Sequence, residues 1–218
     1  MSNNLKPLYI VGAGGFGREV AWLAETINKE NNTWDIKGFI DDDSELWDKV
    51  IDDYHVLGGL NILEVQSSDI WCVVAVGNAA VRKRITQKLD ESEHIKYATL
   101  ISPDVKMGFG NTIGEGTIIC SGTIITVDAS IGRHNIINLS CTIGHDAVLD
   151  DYVTLYPSVN VSGKVRIGNT TEVGTGTQII QGVGVCEGVI LGAGAVVVKD
   201  IKTSGTYIGV PAMKIHNR

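Results

Sequence analysis

An aliphatic residue stands at every sixth position through the second half of the chain, without an insertion or a gap. The seventeen positions are Ile101, Met107, Ile113, Ile119, Ile125, Ile131, Ile137, Ile143, Leu149, Leu155, Val161, Ile167, Val173, Ile179, Val185, Leu191 and Val197. A period of six fits neither the helical repeat of 3.6 nor the strand repeat of 2, so it indicates a coil that repeats as a unit. Small or β-branched residues recur four positions after the aliphatic ones. This order of large, turn and small residues predicts a parallel β-helix built from hexapeptides.

Three hexapeptides make one triangular coil, so residues eighteen apart should stack at about the 4.8 Å spacing of neighbouring strands. One outward column then contains Leu100, Ile118, Ile136 and Thr154. We expect this column to be an exposed apolar strip on a single chain. Such a strip is typical of an interface, and a homotrimer packed along the prism would cover it.

The same stacking assigns turn residues to the edges of the prism. His145, Gly163 and Gln181 share one edge, while Pro157, Thr175 and Ala193 share another. A long, thin ligand at a subunit boundary would therefore touch several hexapeptides in one line.

The chain ahead of the repeats alternates short apolar runs with helical periodicity. Apolar runs at residues 7–11, 36–40 and 70–76 predict strands, and apolar positions within 20–27 and 81–89 recur at helical spacing. This order predicts a small parallel sheet with covering helices, in an α/β Rossmann-like domain. We place that domain at residues 1–98, and an all-β parallel β-helix domain with a C-terminal tail at residues 99–218.

Glycines follow the first predicted strand, with the spacing Gly12-x-Gly14-x-x-Gly17 and a further glycine at Gly15. Such a loop lets backbone N–H groups approach a phosphate, and the helix that follows adds its positive end. Asp41 and Asp42 end the second strand, where a carboxylate can accept from a ribose or a base. The motif alone also fits a tight strand-to-helix turn. Because a complete dinucleotide fold needs about twice this length, a mononucleotide or a nucleotide-sugar is favoured over NAD.

Polar residues also follow the third predicted strand. Gly77 and Asn78 lie at its carboxyl end, where open α/β sheets bind ligands, and Arg82 comes one helical turn later. Arg82 could reach a diphosphate. The alternative is that Asn78 caps the helix and Arg82 is solvated.

The candidate catalytic residue of the repeats is His145, which is followed by Asp146. A turn histidine that is neutral near pH 7 can accept a proton, and the adjacent carboxylate would favour the imidazolium that forms. Asn138, on the preceding hexapeptide, could support the ring or orient a substrate. A turn histidine is also often structural, and His134, which has no carboxylate after it, is the weaker candidate.

Composition narrows the class of partner. The formal charge of −7 and the pI near 5.2 argue against nucleic acid or an anionic membrane. The longest apolar run, residues 70–76, is too short for membrane insertion, and the N-terminal residues lack the apolar segment of an export signal. The four cysteines lie far apart without a CxxC pair. We therefore expect a cytoplasmic protein with neither disulfides nor a bound metal.

The repeats, the Gly144-His-Asp146 turn and the tail Gly209-Val-Pro-Ala212 resemble the left-handed β-helix acyltransferases. With the front motifs included, the whole chain resembles bacterial sugar acetyltransferases of the sialic acid O-acetyltransferase group, which includes N-acetyltransferases of nucleotide-linked amino sugars. The resemblance implies the left hand of the coil. The chain departs from many relatives at Phe16, where they have histidine, and at Ser102-Pro103, where they have His-Pro.

The resemblance also implies roles for residues that match the family's motifs. His145 would be the general base, with Asp146 behind it, and backbone N–H groups near Gly163 would be the oxyanion donors. Acetyl-CoA would lie between neighbouring subunits. Its implied contacts are Thr154, Gly163, Thr175 and Ala193. The implied contacts of the nucleotide-sugar are Gly12, Gly14, Gly15, Asp41, Asp42, Gly77, Asn78, Arg82 and Asn138.

The expected function is acetyl-CoA-dependent N-acetylation of a nucleotide-linked 4-amino-4,6-dideoxy sugar for surface glycan synthesis. O-acetylation of a sialic acid or a related sugar is the nearest alternative. A β-helix carbonic anhydrase would need three histidines on zinc, and the repeats and tail offer His134, His145 and His216. A structural solenoid would show regular outward rows of threonine, which the mixed column from Leu100 to Ile190 does not.

Overall fold

The computed structural model describes residues 5–215, which form two compact units. The first unit contains the described residues up to Gly77 together with Val81–Pro103, and the second contains Asn78–Ala80 and the residues from Asp104 onward. The domain limits expected from the sequence, 1–98 and 99–218, stay a prediction.

The first unit is an α/β structure. Its elements are β1 (Lys6–Val11), α1 (Gly15–Glu30), β2 (Trp34–Ile40), a 3-10 helix (Ser44–Leu46), β3 (Val50–Ile51), β4 (Tyr54–His55), α2 (Asn61–Glu64), β5 (Ile70–Val74), α3 (Ala79–Leu89), β6 (Ile95–Tyr97) and β7 (Leu100–Ile101). The main sheet has the order β2-β1-β5-β6 with parallel pairing throughout. The predicted parallel sheet with helices is therefore confirmed. Within residues 5–215, no helix is both long enough and apolar enough to cross a membrane.

The glycine loop connects β1 to α1, and two of its glycines have a steric reason. Gly12 has a φ of +106°, a left-handed conformation that side chains rarely adopt. A Cβ atom on Gly17 would collide with the carbonyl of Gly12, so glycine lets α1 pack directly against the end of β1. The loop brings the start of α1 to the carboxyl edge of the sheet.

The second unit is a parallel β-helix of short strands. They are β8 (Lys106–Met107), β9 (Thr112–Ile113), β10 (Ile118–Ile119), β11 (Ile124–Ile125), β12 (Ser130–Ile131), β13 (Ile136–Ile137), β14 (Thr142–Ile143), β15 (Val148–Leu149), β16 (Thr154–Leu155), β17 (Asn160–Val161), β18 (Arg166–Ile167), β19 (Glu172–Val173), β20 (Gln178–Ile179), β21 (Gly184–Val185), β22 (Val189–Leu191), β23 (Val196–Val197), β24 (Gly205–Ile208) and β25 (Met213–Lys214). All of their pairings are parallel except that between β24 and β25.

These strands form three faces. The first face has the order β24-β22-β19-β16-β13-β10, the second β23-β20-β17-β14-β11-β8, and the third β21-β18-β15-β12-β9. From β8 to β23 each strand pairs with the strand eighteen residues away, as in the pairings Ile118↔Ile136 and Ile124↔Thr142, whereas β22 and β24 pair at a spacing of sixteen. The predicted stacking by eighteen is therefore confirmed.

The turns between faces repeat one conformation. Every sixth residue from Gly110 to Gly194 has positive φ, and this position holds glycine, as at Gly116, or a polar or aromatic residue, as at Asp128 and Tyr152. The left-handed residue bends the chain sharply between two short strands, so that the second strand lies on the next face.

The interior of the β-helix follows the sequence pattern. Ile137, Ile143 and Leu155 are at most 1% exposed, and the small residues between them are equally buried. Buried threonine hydroxyls donate to turn carbonyls of the next coil, as from Thr117 to Gly132 O at 3.0 Å. Met107 is 39% exposed because β8 is the terminal strand of its sheet.

The predicted apolar strip on the outside of the β-helix is wrong. Leu100, Ile118, Ile136 and Thr154 are at most 1% exposed in the single chain. Residues 78–80 belong to the second unit, and the N–H of Ala79 donates to Oε1 of Glu172, the next member of the column, at 3.0 Å. Because the column is already buried in the single chain, it does not call for a partner.

Candidate active site

His145 lies on a turn between β14 and β15. Asp146 follows it in the left-handed conformation, with a φ of +58°. This turn brings Oδ2 of Asp146 to 2.7 Å from Nδ1 of His145. The two side chains are 46% and 51% exposed, so the pair is open to a ligand.

The turn residues of this corner stack through the backbone. Amide N–H groups donate from Asp128 to Phe109 O, from Asp146 to Val127 O, from Lys164 to His145 O and from Gly182 to Gly163 O, at 2.8 to 3.1 Å. We call the resulting row the His145 edge, and it contains Phe109, Val127, His145, Gly163 and Gln181. The predicted grouping of His145, Gly163 and Gln181 is thus present in the structure.

Gly163 lies against the imidazole. A Cβ atom at this position would come within 2.7 Å of Cε1 and 2.8 Å of Cδ2 of His145. The missing side chain therefore leaves room for the ring. Gly163 is buried in the single chain, and among the described residues its N–H has no hydrogen-bond acceptor.

Thr175 and Ala193 lie on a different edge, between the first and second faces. The N–H of Gly194 donates to Thr175 O at 2.8 Å, and the N–H of Gly176 donates to Pro157 O at 3.0 Å. These hydrogen bonds stack the turns one above the other, as the sequence predicts. We call this row of Pro157, Thr175 and Ala193 the Thr175 edge. Within one chain the second face separates it from the His145 edge.

Thr154 does not belong with these residues. It is an outward residue of the first face and is fully buried, so its side chain cannot contact a cofactor at the surface. The structure therefore removes Thr154 from the expected acetyl-CoA contacts.

Asn138 does not lie on the corner of His145. It follows β13 at the corner between the first and second faces, it is 9% exposed, and its Oδ1 accepts from the N–H of Leu139 at 2.7 Å. Within one chain Asn138 therefore does not reach the imidazole, because strand β14 and the full width of the second face lie between the two residues. His134 is 2% exposed and stacks on Tyr152 with ring centroids 5.2 Å apart, which fits a structural role.

The first unit contains a cavity of about 380 Å³ at the carboxyl edge of its sheet. Gly12 of the glycine loop lines it, together with Asp41 and Asp42. The remaining lining residues are Val11, Ile40, Leu60, Val76, Val81, Arg84, Ile85 and Lys88. Mostly apolar walls with a few charged groups, in this volume, are typical of small-molecule sites.

The two aspartates are held by backbone N–H groups. Asp41 accepts from Ala13 at 2.9 Å and from Asp43 at 3.0 Å, and Asp42 accepts from Leu60 at 3.1 Å. Asp41 thereby ties the glycine loop to the end of β2. Gly14 and Gly15 stay exposed at the start of α1, as a phosphate site requires.

Arg82 has neither of the roles considered from the sequence. It is 1% exposed, and its Nη1 donates to Val76 O at 2.6 Å and to Gly77 O at 3.1 Å. Arg82 therefore shapes the loop after β5 from inside, and it does not reach a diphosphate. Neither Gly77 nor Asn78 lines the cavity.

Arg84 and Lys88 are the cations at the cavity, and the sequence reasoning missed them. Together with Val81 and Ile85 they lie on one face of α3, at the spacing i, i+3, i+4 and i+7. That spacing is the signal that could have identified them. Lys88 Nζ is 3.2 Å from Glu64 Oε1, whereas Arg84 has no ion pair within residues 5–215.

In the described part of the chain, no group of three or more His, Cys, Asp or Glu residues could hold a metal ion. His134 and His145 lie on different corners of the β-helix. His216, the third histidine of the zinc alternative, lies outside the described residues.

Residues 7–89 match the family model of the PglD N-terminal domain. The acetyltransferase domain of PglB from Neisseria gonorrhoeae FA1090 is 31% identical with a TM-score of 0.88, and the match covers 96% of this chain and 100% of that one. The same domain has also been solved in complex with acetyl coenzyme A.

Two further solved structures match the entire fold. A variant of perosamine N-acetyltransferase from Caulobacter crescentus, in complex with CoA and GDP-perosamine, is 26% identical with a TM-score of 0.86, and both chains are covered fully. WeeI from Acinetobacter baumannii AYE is 27% identical with a TM-score of 0.86, over 96% of this chain and 100% of that one.

Curated relatives match over a shorter length. An acyl-[acyl-carrier-protein]–UDP-N-acetylglucosamine O-acyltransferase of Pseudomonas entomophila is 31% identical over 107 residues, which are 49% of this chain and 42% of that protein. The chain thus matches less than half the length of these curated relatives.

The full-length structural match at 31% identity and the coil of six-residue repeats lead to the same assignment. The fold is the left-handed parallel β-helix preceded by an α/β domain. The chain belongs to the hexapeptide-repeat sugar acetyltransferases, a family of acyltransferase enzymes.

Proposed function

We propose that the protein transfers the acetyl group of acetyl-CoA to the amine of a nucleotide-linked amino sugar. The observation that carries this proposal is the exposed His145–Asp146 pair, 2.7 Å apart, beside a glycine whose N–H is unused. The relatives support the two substrates, since one is solved with acetyl coenzyme A and another with CoA and GDP-perosamine.

His145 would act as the general base. With Nδ1–H donating to Asp146, Nε2 carries the lone pair and can accept a proton from the attacking amine. The amine nitrogen then bonds to the thioester carbonyl carbon, and the C–S bond breaks as the tetrahedral intermediate collapses. The proton on Nε2 passes to the departing CoA sulfur, so the imidazole returns to its neutral state.

Gly163 would stabilise the intermediate. Gly163 adjoins the imidazole, and its N–H donates to no acceptor among the described residues, so it can donate to the oxyanion. One such donor typically contributes about 2.7–4 kcal/mol to the transition state.

The nucleotide would bind in the cavity of the first unit. The glycine loop with Gly12, Gly14 and Gly15 offers N–H groups to phosphate, and Asp41 and Asp42 offer acceptors to the nucleoside. We replace Arg82 by Arg84 as the cation available there, because Arg84 lines the cavity and has no ion pair within residues 5–215. The 4-amino-4,6-dideoxy sugar and a place in surface glycan synthesis in the cytoplasm remain part of this proposal.

A homotrimer is also part of the proposal. Gly163 lies on the His145 edge, whereas Thr175 and Ala193 lie on the Thr175 edge. A cofactor that touches both rows must therefore bridge two copies of the chain, and a closed trimer offers such a cleft between each pair.

The variant His145→Ala tests the mechanism. We expect turnover with acetyl-CoA and UDP-, dTDP- or GDP-linked 4-amino sugars to fall at least about 100-fold, the usual share of a general base. Because the His145 side chain is exposed, the melting temperature of the variant should stay close to that of the wild-type protein.

The substrate panel decides between the two acetylation reactions. Acetylation of sialic acids with no turnover of any amino sugar would replace N-acetylation by O-acetylation. Near-normal turnover of amino sugars by His145→Ala would refute the role of His145.

A further inference from the structure

Gln181 is a residue of the His145 edge to which the proposed mechanism gives no role. It lies one coil beyond Gly163 and two coils beyond His145, since Gly182 N–H donates to Gly163 O at 2.9 Å and Lys164 N–H to His145 O at 2.8 Å. Its side chain is exposed, and it makes no hydrogen bond with any residue in the range 5–215. Its amide therefore has both a donor and an acceptor to offer to a ligand.

The imidazole restricts how a thioester can approach Gly163. The ring of His145 lies against Gly163, with Cε1 and Cδ2 at 2.7 and 2.8 Å from the position of a Cβ atom there. An acyl donor whose carbonyl oxygen reaches the Gly163 N–H therefore finds one side of the glycine filled by the ring. The next residue along the same edge, on the side of Gly163 away from His145, is Gln181.

The opposite direction along the edge is unsuited to a polar chain. Beyond His145 the edge continues to Val127, which is partly exposed, and to Phe109, which is 79% exposed. Neither side chain has a hydrogen-bonding group, whereas the pantetheine arm of CoA has two amides that lose hydrogen bonds to water when bound.

The spacing of the arm fits the spacing of the coils. In an extended pantetheine arm, the thioester sulfur and the first amide nitrogen are about 4 Å apart, and the two amide nitrogens are about 5 Å apart, by ordinary bond lengths. Stacked strands repeat at about 4.8 Å. A thioester held at Gly163 therefore places the first amide of the arm next to the following corner residue, which is Gln181.

We propose that Gln181 binds the first amide of the pantetheine arm and so positions the thioester against Gly163 and His145. This inference rests on the proposed use of acetyl-CoA. It assigns a cosubstrate-binding residue on the His145 edge, in addition to the contacts expected on the Thr175 edge.

Steady-state kinetics of Gln181→Ala with acetyl-CoA test the proposal. We expect KM for acetyl-CoA to rise about tenfold, the effect of one lost hydrogen bond, with kcat within about twofold of wild type. Glu187→Ala is the matched control, because Glu187 is exposed and occupies the same turn position at the next corner of the coil. We expect that control to leave both constants unchanged.

Truncated donors distinguish contact with the amide from contact with the carbonyl. S-acetyl-N-acetylcysteamine retains the first amide, and S-ethyl thioacetate lacks it. Gln181→Ala should lower kcat/KM for S-acetyl-N-acetylcysteamine about tenfold. For S-ethyl thioacetate, kcat/KM of the variant should stay close to that of the wild type. Should neither donor be turned over, the kcat and KM values with acetyl-CoA decide.

Two results would overturn the inference. Unchanged KM for acetyl-CoA in Gln181→Ala removes the contact, and a fall in kcat at constant KM moves it to the reacting carbonyl. Calorimetric titration of the wild-type protein with CoA separates these results from a failure of the proposed function. A wild-type protein that binds no CoA refutes the proposed use of acetyl-CoA, whereas binding that Gln181→Ala does not weaken refutes the role of Gln181 alone.

Discussion

Gly163 illustrates how one absent side chain shapes the candidate site. Its φ lies outside the left-handed region, so the backbone does not demand glycine there. The reason for glycine is instead the imidazole of His145, whose Cε1 and Cδ2 would contact any Cβ atom. In the proposed mechanism this position would couple the orientation of the base to the oxyanion donor, since both would meet at one residue.

Replacing Gly163 by alanine should therefore impair catalysis more than folding. The methyl group displaces the imidazole by a fraction of its own size, and misplacement of a reacting group by about 1 Å can cost about 100-fold in rate. We expect kcat to fall about 10- to 100-fold with a melting temperature close to wild type.

Gly184→Ala is the control for this substitution. It also lies on the β-helix, and the nearest atom to its Cβ position is 3.7 Å away, at the side chain of Asp200. An unchanged kcat in Gly163→Ala would show that the ring is free to move away from Gly163.

Cysteine reactivity reports on burial at individual positions. Burial raises the pKa of Cys141 to about 11 and raises that of Cys72 further, because a thiolate loses its hydration in an apolar interior. The thiolate is the reactive form, so a raised pKa leaves little of it at pH 8. Cys120 is buried as well, whereas Cys186 is partly exposed.

We therefore expect an alkylating reagent at pH 8 to modify Cys186 in the native protein, and all four cysteines after unfolding in denaturant. Peptide mass spectrometry identifies the modified sites. Raising the pH towards 11 should increase modification of Cys141 in the folded protein. Rapid modification of Cys141 or Cys72 at pH 8 would contradict the packed interior.

Helix α3 shows which part of an element the sequence predicts and which part it does not. Periodicity identifies the helix and its apolar face from Val81, Ile85 and Leu89. It does not decide which of the neighbouring arginines faces the cavity, because Arg82 and Arg84 differ by only two positions. The carbonyl groups of Val76 and Gly77 decide it, since they bind Arg82 in the interior.

The β-helix is more predictable because its repeat is local. Each hexapeptide contains its own inward residues and its own turn, so the register of every strand follows from one period. The covering of Ile118 and Ile136 could not be predicted in this way. The period shows which residues point outward, and it does not show which outward residues become buried in the folded chain.

Part of the candidate site could also be predicted from the period, and part could not. The stacking of His145, Gly163 and Gln181 follows from the period alone, and the structure contains it. Asn138 lies on a different corner of its own chain from His145, because residues seven apart in the chain lie on successive corners. Thr154 was misplaced because its face is covered by the chain.

The assembled molecule should be an oligomer whose active sites each combine two chains. If the His145 edge of one copy faces the Thr175 edge of the next, then Ala193→Trp should block acetyl-CoA without touching the base. His145→Ala and Ala193→Trp should each be inactive when expressed alone.

Co-expression of these two variants should restore activity. Sites that combine an intact His145 edge with an intact Thr175 edge form by random assembly at about a quarter of all interfaces. We therefore expect about a quarter of the wild-type rate. Light scattering measures the size of the mixed oligomer. Absence of restored activity in a mixed oligomer would place the whole site within one chain.

The turn geometry of the β-helix also limits how the gene can change in length. Removing one hexapeptide would shift every later residue to the next face, so that Gly163 would leave the corner of His145. Removing eighteen residues would return each later residue to its own edge and shorten the prism by one coil. Insertions and deletions between His145 and Ala193 should therefore survive in this family as whole coils, or as loops that leave the turn and return to it.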